Sequence, residues 1–286
     1  MKNTVTLLAV AAIAGSANAA LDGQSIPTDA ANDGLSLLAT QANPTGFGDA
    51  TGGGQDAGGS ELNQLWASLD GSTLNVSITG NLESNFNKLW IFFDAVAGGE
   101  QALGSDNADG GFGEINNLAG STFGAGNIGM DHALRLEVGG SFYGVRYADL
   151  IDNVGGDIAT GAGFGDLPLA SVAGNLGVDF GWDNSNILGV DGASAAGASS
   201  ATKGWEFSID LASFFGPNTK NQIGISAFIS SGDGNFVSNQ VLPSLDPDTG
   251  NLAGPPINVG VAYIPAPGTM ALAGLAGFAA TRRRRA

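Results

Sequence analysis

His132 is the only histidine in the chain, so any imidazole chemistry must pass through it. A Ser-His-Asp hydrolase would use it as general base, but no string resembling a nucleophile elbow accompanies it. With Asp131 before it and an alternating run after it, His132 reads as a surface residue at a strand start, and Asp131 as a turn residue. The chain has no cysteine, which excludes thiol and disulfide chemistry and thiolate metal sites. A glycosidase needs two carboxyl groups roughly 5–9.5 Å apart. Glu206 and Asp210 share a strand face, but at a spacing of four residues they are too distant to work together. No catalytic constellation emerges, and a non-enzymatic protein is expected.

Calcium is the more plausible chemistry. Of the 27 acidic residues 21 are Asp, and they gather in loops beside Gly and Asn. Asp106 and Asp109, Asp179 and Asp183, Asp233, and Asp246 and Asp248 all offer the hard oxygen ligands this ion takes. None has the full EF-hand spacing, and the same residues build Asx-turns. Sugar stacking is the other binding chemistry in view. Trp182 lies between Gly181 and Asp183 in what reads as an exposed polar loop, and Trp66 shares its parity with Gln64 and Ser68. Trp205 shares parity with Phe207 and Ile209 and belongs to a core.

These side chains need elements to carry them, and the pattern of those elements is β. Period-two alternation recurs at 73–79, 134–138, 206–211, 223–229 and 259–263. Lys88 to Val96 is almost wholly apolar and predicts a strand buried on both faces. Gly139-Gly140 and Asp70-Gly71 separate alternating runs and predict hairpins, because tight turns need positive φ. Residues 211–215 predict one helical turn, ended by Gly216-Pro217. The 47 glycines follow no three-residue period, which excludes collagen, and a hydrophobic fraction of 43% is enough for a core. The expected fold is an all-β, jelly-roll-like antiparallel sandwich over residues 20–263. Long Gly/Asp/Asn-rich loops are expected at 20–60, 97–131 and 152–202.

The two ends read as addresses. Met1-Lys2, the apolar run Val5–Ala14 and Ala17-Asn18-Ala19 form a secretory signal, with cleavage by signal peptidase expected after Ala19. At the other end Pro265-Ala266-Pro267 precedes an apolar stretch, Met270–Ala280, and then Arg282, Arg283, Arg284 and Arg285. That stretch would span about 17 Å as a helix, short of a ~30 Å hydrocarbon core. The arginines would stop on the cytoplasmic side. In order and spacing, residues 264–286 resemble the PEP-CTERM sorting signal of planctomycete-like bacterial envelope proteins, in a Pro-Ala-Pro variant. The resemblance implies an exosortase-like sorting enzyme as partner, a short hydrophobic helix held transiently in the inner membrane, and an envelope or extracellular destination. Loss of both ends would leave five basic residues against 27 acidic ones, a formal charge of −22. Such a chain repels anionic polymers, and no nucleic-acid partner is expected.

Gly80-Asn81-Leu82-Glu83-Ser84-Asn85-Phe86, Phe92-Phe93-Asp94, Gly204-Trp205-Glu206-Phe207 and Ser238-Asn239-Gln240-Val241-Leu242-Pro243 also resemble the cores of secreted proteins of that kind. Those cores in turn look like DOMON and family 9 carbohydrate-binding-module sandwiches. The resemblance implies sugar or haem as ligand. Haem is disfavoured on the residues: Met130 and His132 are too close in sequence to face each other across a macrocycle. The leading expectation is a secreted structural or adhesion protein. The alternative is a carbohydrate-binding module for an extracellular polysaccharide, with or without Ca2+.

Overall fold

The computed structural model describes residues 20–51, 59–162, 169–190, 197–245 and 250–265. Among these residues two short helices, α1 (Ile26–Asn32) and α2 (Leu211–Phe214), accompany fifteen strands. The strands in the first half are β1 (Ser36–Thr40), β2 (Glu61–Asp70), β3 (Thr73–Asn81), β4 (Asn85–Asp94), β5 (Thr122–Phe123), β6 (His132–Gly139) and β7 (Phe142–Asp149). Those of the second half are β8 (Val154–Ala162), β9 (Leu169–Ala173), β10 (Val178–Trp182), β11 (Gly204–Asp210), β12 (Gly224–Ser230), β13 (Val237–Leu242), β14 (Asn258–Val259) and β15 (Ala262–Tyr263).

One sheet has the order β1-β2-β3-β11-β10-β9 and the other β13-β12-β4-β6-β7-β8, with β15 added beside β12. Every pairing within these two sheets is antiparallel. A two-residue pair, β5 with β14, is parallel and stands apart from both. Leu65, Val76, Ile78 and Phe207 of the first sheet meet Leu89, Ile91, Leu134 and Ile225 of the second in one buried cluster. The protein is therefore mostly β, and its sheets stack as a sandwich stacks.

The hairpins follow from their glycines. β2 and β3 close with Asp70 opposite Thr73, and Gly71 takes φ +59° in the turn. β6 and β7 close with Gly139 opposite Phe142, and Gly140 takes φ +58°. A side chain would be strained at either turn glycine. Helix α2 forms as expected after β11: Asp210 caps it by accepting the N–H of Ser213 at 2.8 Å, and Gly216 follows at φ +80°.

Strand β4 lies between β12 and β6 in the middle of its sheet. Its inner residues Leu89, Ile91 and Phe93 enter the main core. Its outer residues Trp90 and Phe92 enter a second cluster with Leu103, Ile115, Leu118, Phe123 and Met130. Residues 97–131, expected as a loop, thus form a cover over the outer face of this sheet. Phe92 is the centre of that packing, 4.9 Å from the Phe123 ring and 5.6 Å from that of Phe228.

The other two expected loops are corrected. Residues 152–202 contain β8, β9 and β10, which extend both sheets. Residues 20–60 contain α1 and β1, an edge strand beside β2. The expected signal helix (1–19) and the short hydrophobic helix (Met270–Ala280, within the sorting signal 264–286) lie outside the described residues. No helix among the described residues is long and apolar enough to cross a membrane.

Candidate functional site

The Asp loops come first because they are the foremost metal candidates. Asp109 is buried, and its oxygens accept the N–H groups of Gly111, Gly113 and Ile115. Its Oδ2 also lies 2.9 Å from Arg135 Nη1. The loop's carboxylates therefore already hold a cation, the guanidinium of Arg135, and a Cβ at Gly111 would collide with that group at 2.2 Å. Asp183 is buried as well, its Oδ1 accepting from Ser185 N–H and its Oδ2 lying 3.1 Å from Lys203 Nζ. Asp233 closes an Asx-turn with Ser231 and Asn235, and those hydrogen bonds hold its pKa down to about 2. Asp106 is exposed, and its main-chain oxygen accepts from Asn153. Asp246 and Asp248 lie outside the described residues, as do Ala17, Ala19, Ala266, Pro267 and Arg282 to Arg285; Pro265 is described and exposed. Among the described residues no three His or carboxylate groups come together as a metal would require.

Trp182 requires a correction. It ends β10 opposite Trp205 and is 1% exposed. Its ring stacks on Phe180 at 5.6 Å and meets Tyr143 edge-on at 5.1 Å. The neighbouring Gly181 and Asp183 suggested a loop, but β10 runs through Gly181 and buries the indole between the sheets. A side chain so enclosed cannot stack on a sugar. Trp66 is half-buried on the outer face of β2, across from Ser77, on the parity expected of it.

His132 does start a strand, but it is buried rather than on the surface, packed against the rings of Phe214 at 5.5 Å and Phe215 at 5.2 Å. Its Nδ1 lies 2.9 Å from Asp131 Oδ1. Asp131 is more than a turn residue: it is fully buried, and its Oδ2 accepts the N–H groups of Ala95 and Val96 at 2.7 and 2.8 Å. His132 borders a cavity of about 260 Å³, where its Nε2 sits 3.7 Å from Asp149 Oδ2. Among the described residues neither serine, threonine nor tyrosine lines it.

A larger polar cavity, about 340 Å³, lies on the outer face of the β3-β11-β10 strip. Register places Ser77 beside Glu206, and Asn75 beside Ser208 and then Asp179, all facing outward. A strap made of residues 20–25 and α1 roofs this face. Ser171 N–H donates to Leu21 O, Gly204 N–H to Gly23 O, and Ile26 N–H to Thr202 O. Glu206 Oε2 accepts the N–H groups of Asp22 and Gly23 at 3.0 and 2.8 Å. A Cβ at Gly181 would lie 1.9 Å from Leu21 O, so the strap seats only because that strand position is glycine. Burial, opposed by those two hydrogen bonds and reinforced by Asp22 and Asp29, pushes Glu206 up to about 7.

A third recess, about 470 Å³, is bordered by Tyr263, Asp94, Lys220, Gln101 and Asn127, with Gly98, Gly99 and Gly129 as its bare wall. Tyr263 Oη donates to Asp94 Oδ2 at 3.1 Å, and Lys220 pairs with the other oxygen. The Tyr263 ring lies over Gly224, where a Cβ would meet it at 2.9 Å. Burial and the Asp94 carboxylate hold its hydroxyl above the usual phenol range.

The basic residues are placed with equal economy. Lys88, Arg135 and Arg146 join Glu114, Glu137, Asp109 and Asp157 in one ionic layer on the outer face of β4, β6 and β7. Arg135 also sits 5.6 Å above the Trp90 ring. Burial raises Glu114, but Arg135 and Lys88 outweigh it and hold that carboxyl below its ordinary value. Lys203 pairs with Asp183 and Lys220 with Asp94, so every Lys and Arg among the described residues is ion-paired.

Sequence reasoning missed the Glu206 cavity because its roof was read as loop. It missed Tyr263 because the three glycines that open the recess are far away in the chain. Comparison of the chain with family models, with curated proteins and with solved structures finds no match.

Proposed function

We propose that the chain is an exported, acidic, non-enzymatic surface or matrix protein of the cell envelope, with a jelly-roll-like sandwich carried between two sorting signals. The observation that carries the reading is the pairing of all five described cations within the fold. Among the described residues, what faces solvent is then an excess of carboxylate, with no basic patch for a nucleic acid or a sulfated polymer. The His132 cavity supports the same reading, since a base without a neighbouring hydroxyl has nothing to activate for acyl transfer. Residues 1–19 direct export; residues 264–286 direct retention by an exosortase-like enzyme. The test is mass spectrometry of the envelope-associated protein. A form that begins near Ala20 and lacks Arg282 to Arg285 is expected, and an intact C-terminal peptide there would refute the sorting step.

A second reading, a carbohydrate-binding module, is favoured by the Tyr263 recess. An aromatic face beside a carboxylate, an ammonium and two amides suits a pyranose, which stacks by its C–H face and bonds by its hydroxyls. A glycan array run with and without calcium separates the two readings. Binding to a defined polysaccharide that disappears in Tyr263→Ala, with the melting curve retained, would replace the first reading by the second.

A further inference from the structure

We propose that the acidic cavity on the outer face of β3-β11-β10 is the receptor for the protein's own new N-terminus, the α-ammonium of Ala20. The inference rests on the export reading, in which the chain is cut after Ala19. Hydrolysis of the Ala19–Ala20 bond places the water's hydroxyl on the Ala19 carbonyl carbon. It leaves the Ala20 nitrogen as an amine that takes up a proton at neutral pH.

Three observations meet at this point. Ala20 itself lines the cavity, together with Glu206 from β11, Asp179 from β10 and Asp33 from the end of α1. The strap that begins at Ala20 is fixed by main-chain bonds to residues 171, 202 and 204 and by the Glu206 carboxylate at Asp22 and Gly23. The first residue is therefore held at the cavity and is not a free tail. Finally, the charged groups that face Glu206 are all acidic: Asp22 from the strap, Asp29 from α1, and the cavity's Asp179 and Asp33. No lysine or arginine among the described residues lines the cavity. A buried carboxylate without a cation is costly, and a cation that arrives there is held by a low-dielectric surround.

Before cleavage that nitrogen is an uncharged amide; afterwards it is the one cation the strap can present. Export would thus complete the fold: processing locks the strap onto the sheet. Lengthening the N-terminus by a single residue would displace the charge.

The experiment uses the exported full-length gene product. Mass spectrometry first reads its N-terminus. NMR titration of protein labelled with 13C-alanine then reads the α-amino pKa of Ala20. The expected value lies about one unit above the ordinary ~7.7–8.0. The same titration on Glu206→Gln should return it to that range, and with an extra alanine inserted between Ala19 and Ala20 the inserted residue, now the labelled terminus, should titrate in that range too. Comparing the melting temperature of the processed chain with that of uncleaved Ala19→Leu, in both the Glu206 and the Glu206→Gln background, gives the coupling. A rise of about 2–4 °C on processing is expected only where Glu206 is present. A cut before Ala20 with an ordinary α-amino pKa would overturn the docking while leaving export intact. A cut elsewhere would overturn the docking and the expected cleavage site, and an uncut N-terminus would overturn export as well.

Discussion

Lys88 Nζ lies 2.6 Å from Glu137 Oε2 across the β4–β6 pair, and neither side chain is more than 6% exposed. The pair sits in the outer face of a sheet that would elsewhere meet water, beneath the cover formed by residues 97–131. Glu137 also reaches Arg146, and Lys88 reaches Glu114 at 3.4 Å. The layer holds the cover to the sheet by charge where the second apolar cluster holds it by packing. Removing one partner leaves the other buried and uncompensated, so Glu137→Ala is expected to cost about 3–5 kcal/mol by urea denaturation. Lys88→Met with Glu137→Leu, which removes both, should cost much less than the two single changes summed. Additive costs would show that the two side chains do not act as a pair.

Trp182→Ala is expected to destabilise the protein by about 3–5 kcal/mol, the range for deleting a buried aromatic. The indole fills the space between Phe180 and Tyr143, and no surface of it is free for a ligand. Urea melts of the variant settle this. A loss below about 1 kcal/mol would mean that the cavity closes or that the ring is not enclosed.

The sheets were legible wherever a strand has two buried faces or a clean alternation. β4 announced itself because both Phe92 and Phe93 are buried, on opposite sides. The β6–β7 turn announced itself through Gly140. β8 stayed hidden because its glycines are strand residues with a packing role. Gly156 lies under the Tyr147 ring and Gly161 under that of Tyr143, with hypothetical Cβ contacts of 3.0 and 2.5 Å. Gly181 similarly makes room for the strap at Leu21. In a single sequence such a glycine looks like a turn, and the aromatic or carbonyl that demands it is distant in the chain. The same distance hid the candidate site: Glu206 was visible as an outward strand residue, but nothing local to it indicated a roof.

Calcium is expected to leave the melting temperature unchanged, because Asp109, Asp183 and Asp233 already have partners in the described fold. Thermal melts with chelator and with millimolar calcium measure this, since an ion bound to the native state stabilises by mass action. A calcium-dependent rise that survives Asp179→Asn but is lost in Asp246→Asn and Asp248→Asn would instead assign a site to the segment containing those two residues.

Glu206 gives the protein a pH dependence of definite sign. In the chain that keeps residues 1–19, Ala20 carries an amide, and burial raises the Glu206 carboxyl from 4.5 to about 7. A raised folded-state value means that the folded protein holds this proton more tightly than the unfolded chain. The resulting stability is fully present below about pH 4.5, declines as pH rises, and is gone above about pH 7. Asp233 and Glu114 have depressed values and act in the opposite direction at lower pH, where stability is lost as they protonate. The useful quantity is therefore the difference between uncleaved Ala19→Leu and its Glu206→Gln derivative, in which these other groups cancel. That difference in melting temperature should shift steadily in favour of the glutamine variant between pH 4.5 and 7. The amide oxygen that Glu206→Gln leaves in place can still accept the N–H groups of Asp22 and Gly23, so the strap should stay seated. In the processed protein the same difference should be small or reversed, because an ammonium in the cavity favours the ionised carboxylate. Identical pH profiles for uncleaved Ala19→Leu and its Glu206→Gln derivative would mean that this carboxyl titrates as it does in water.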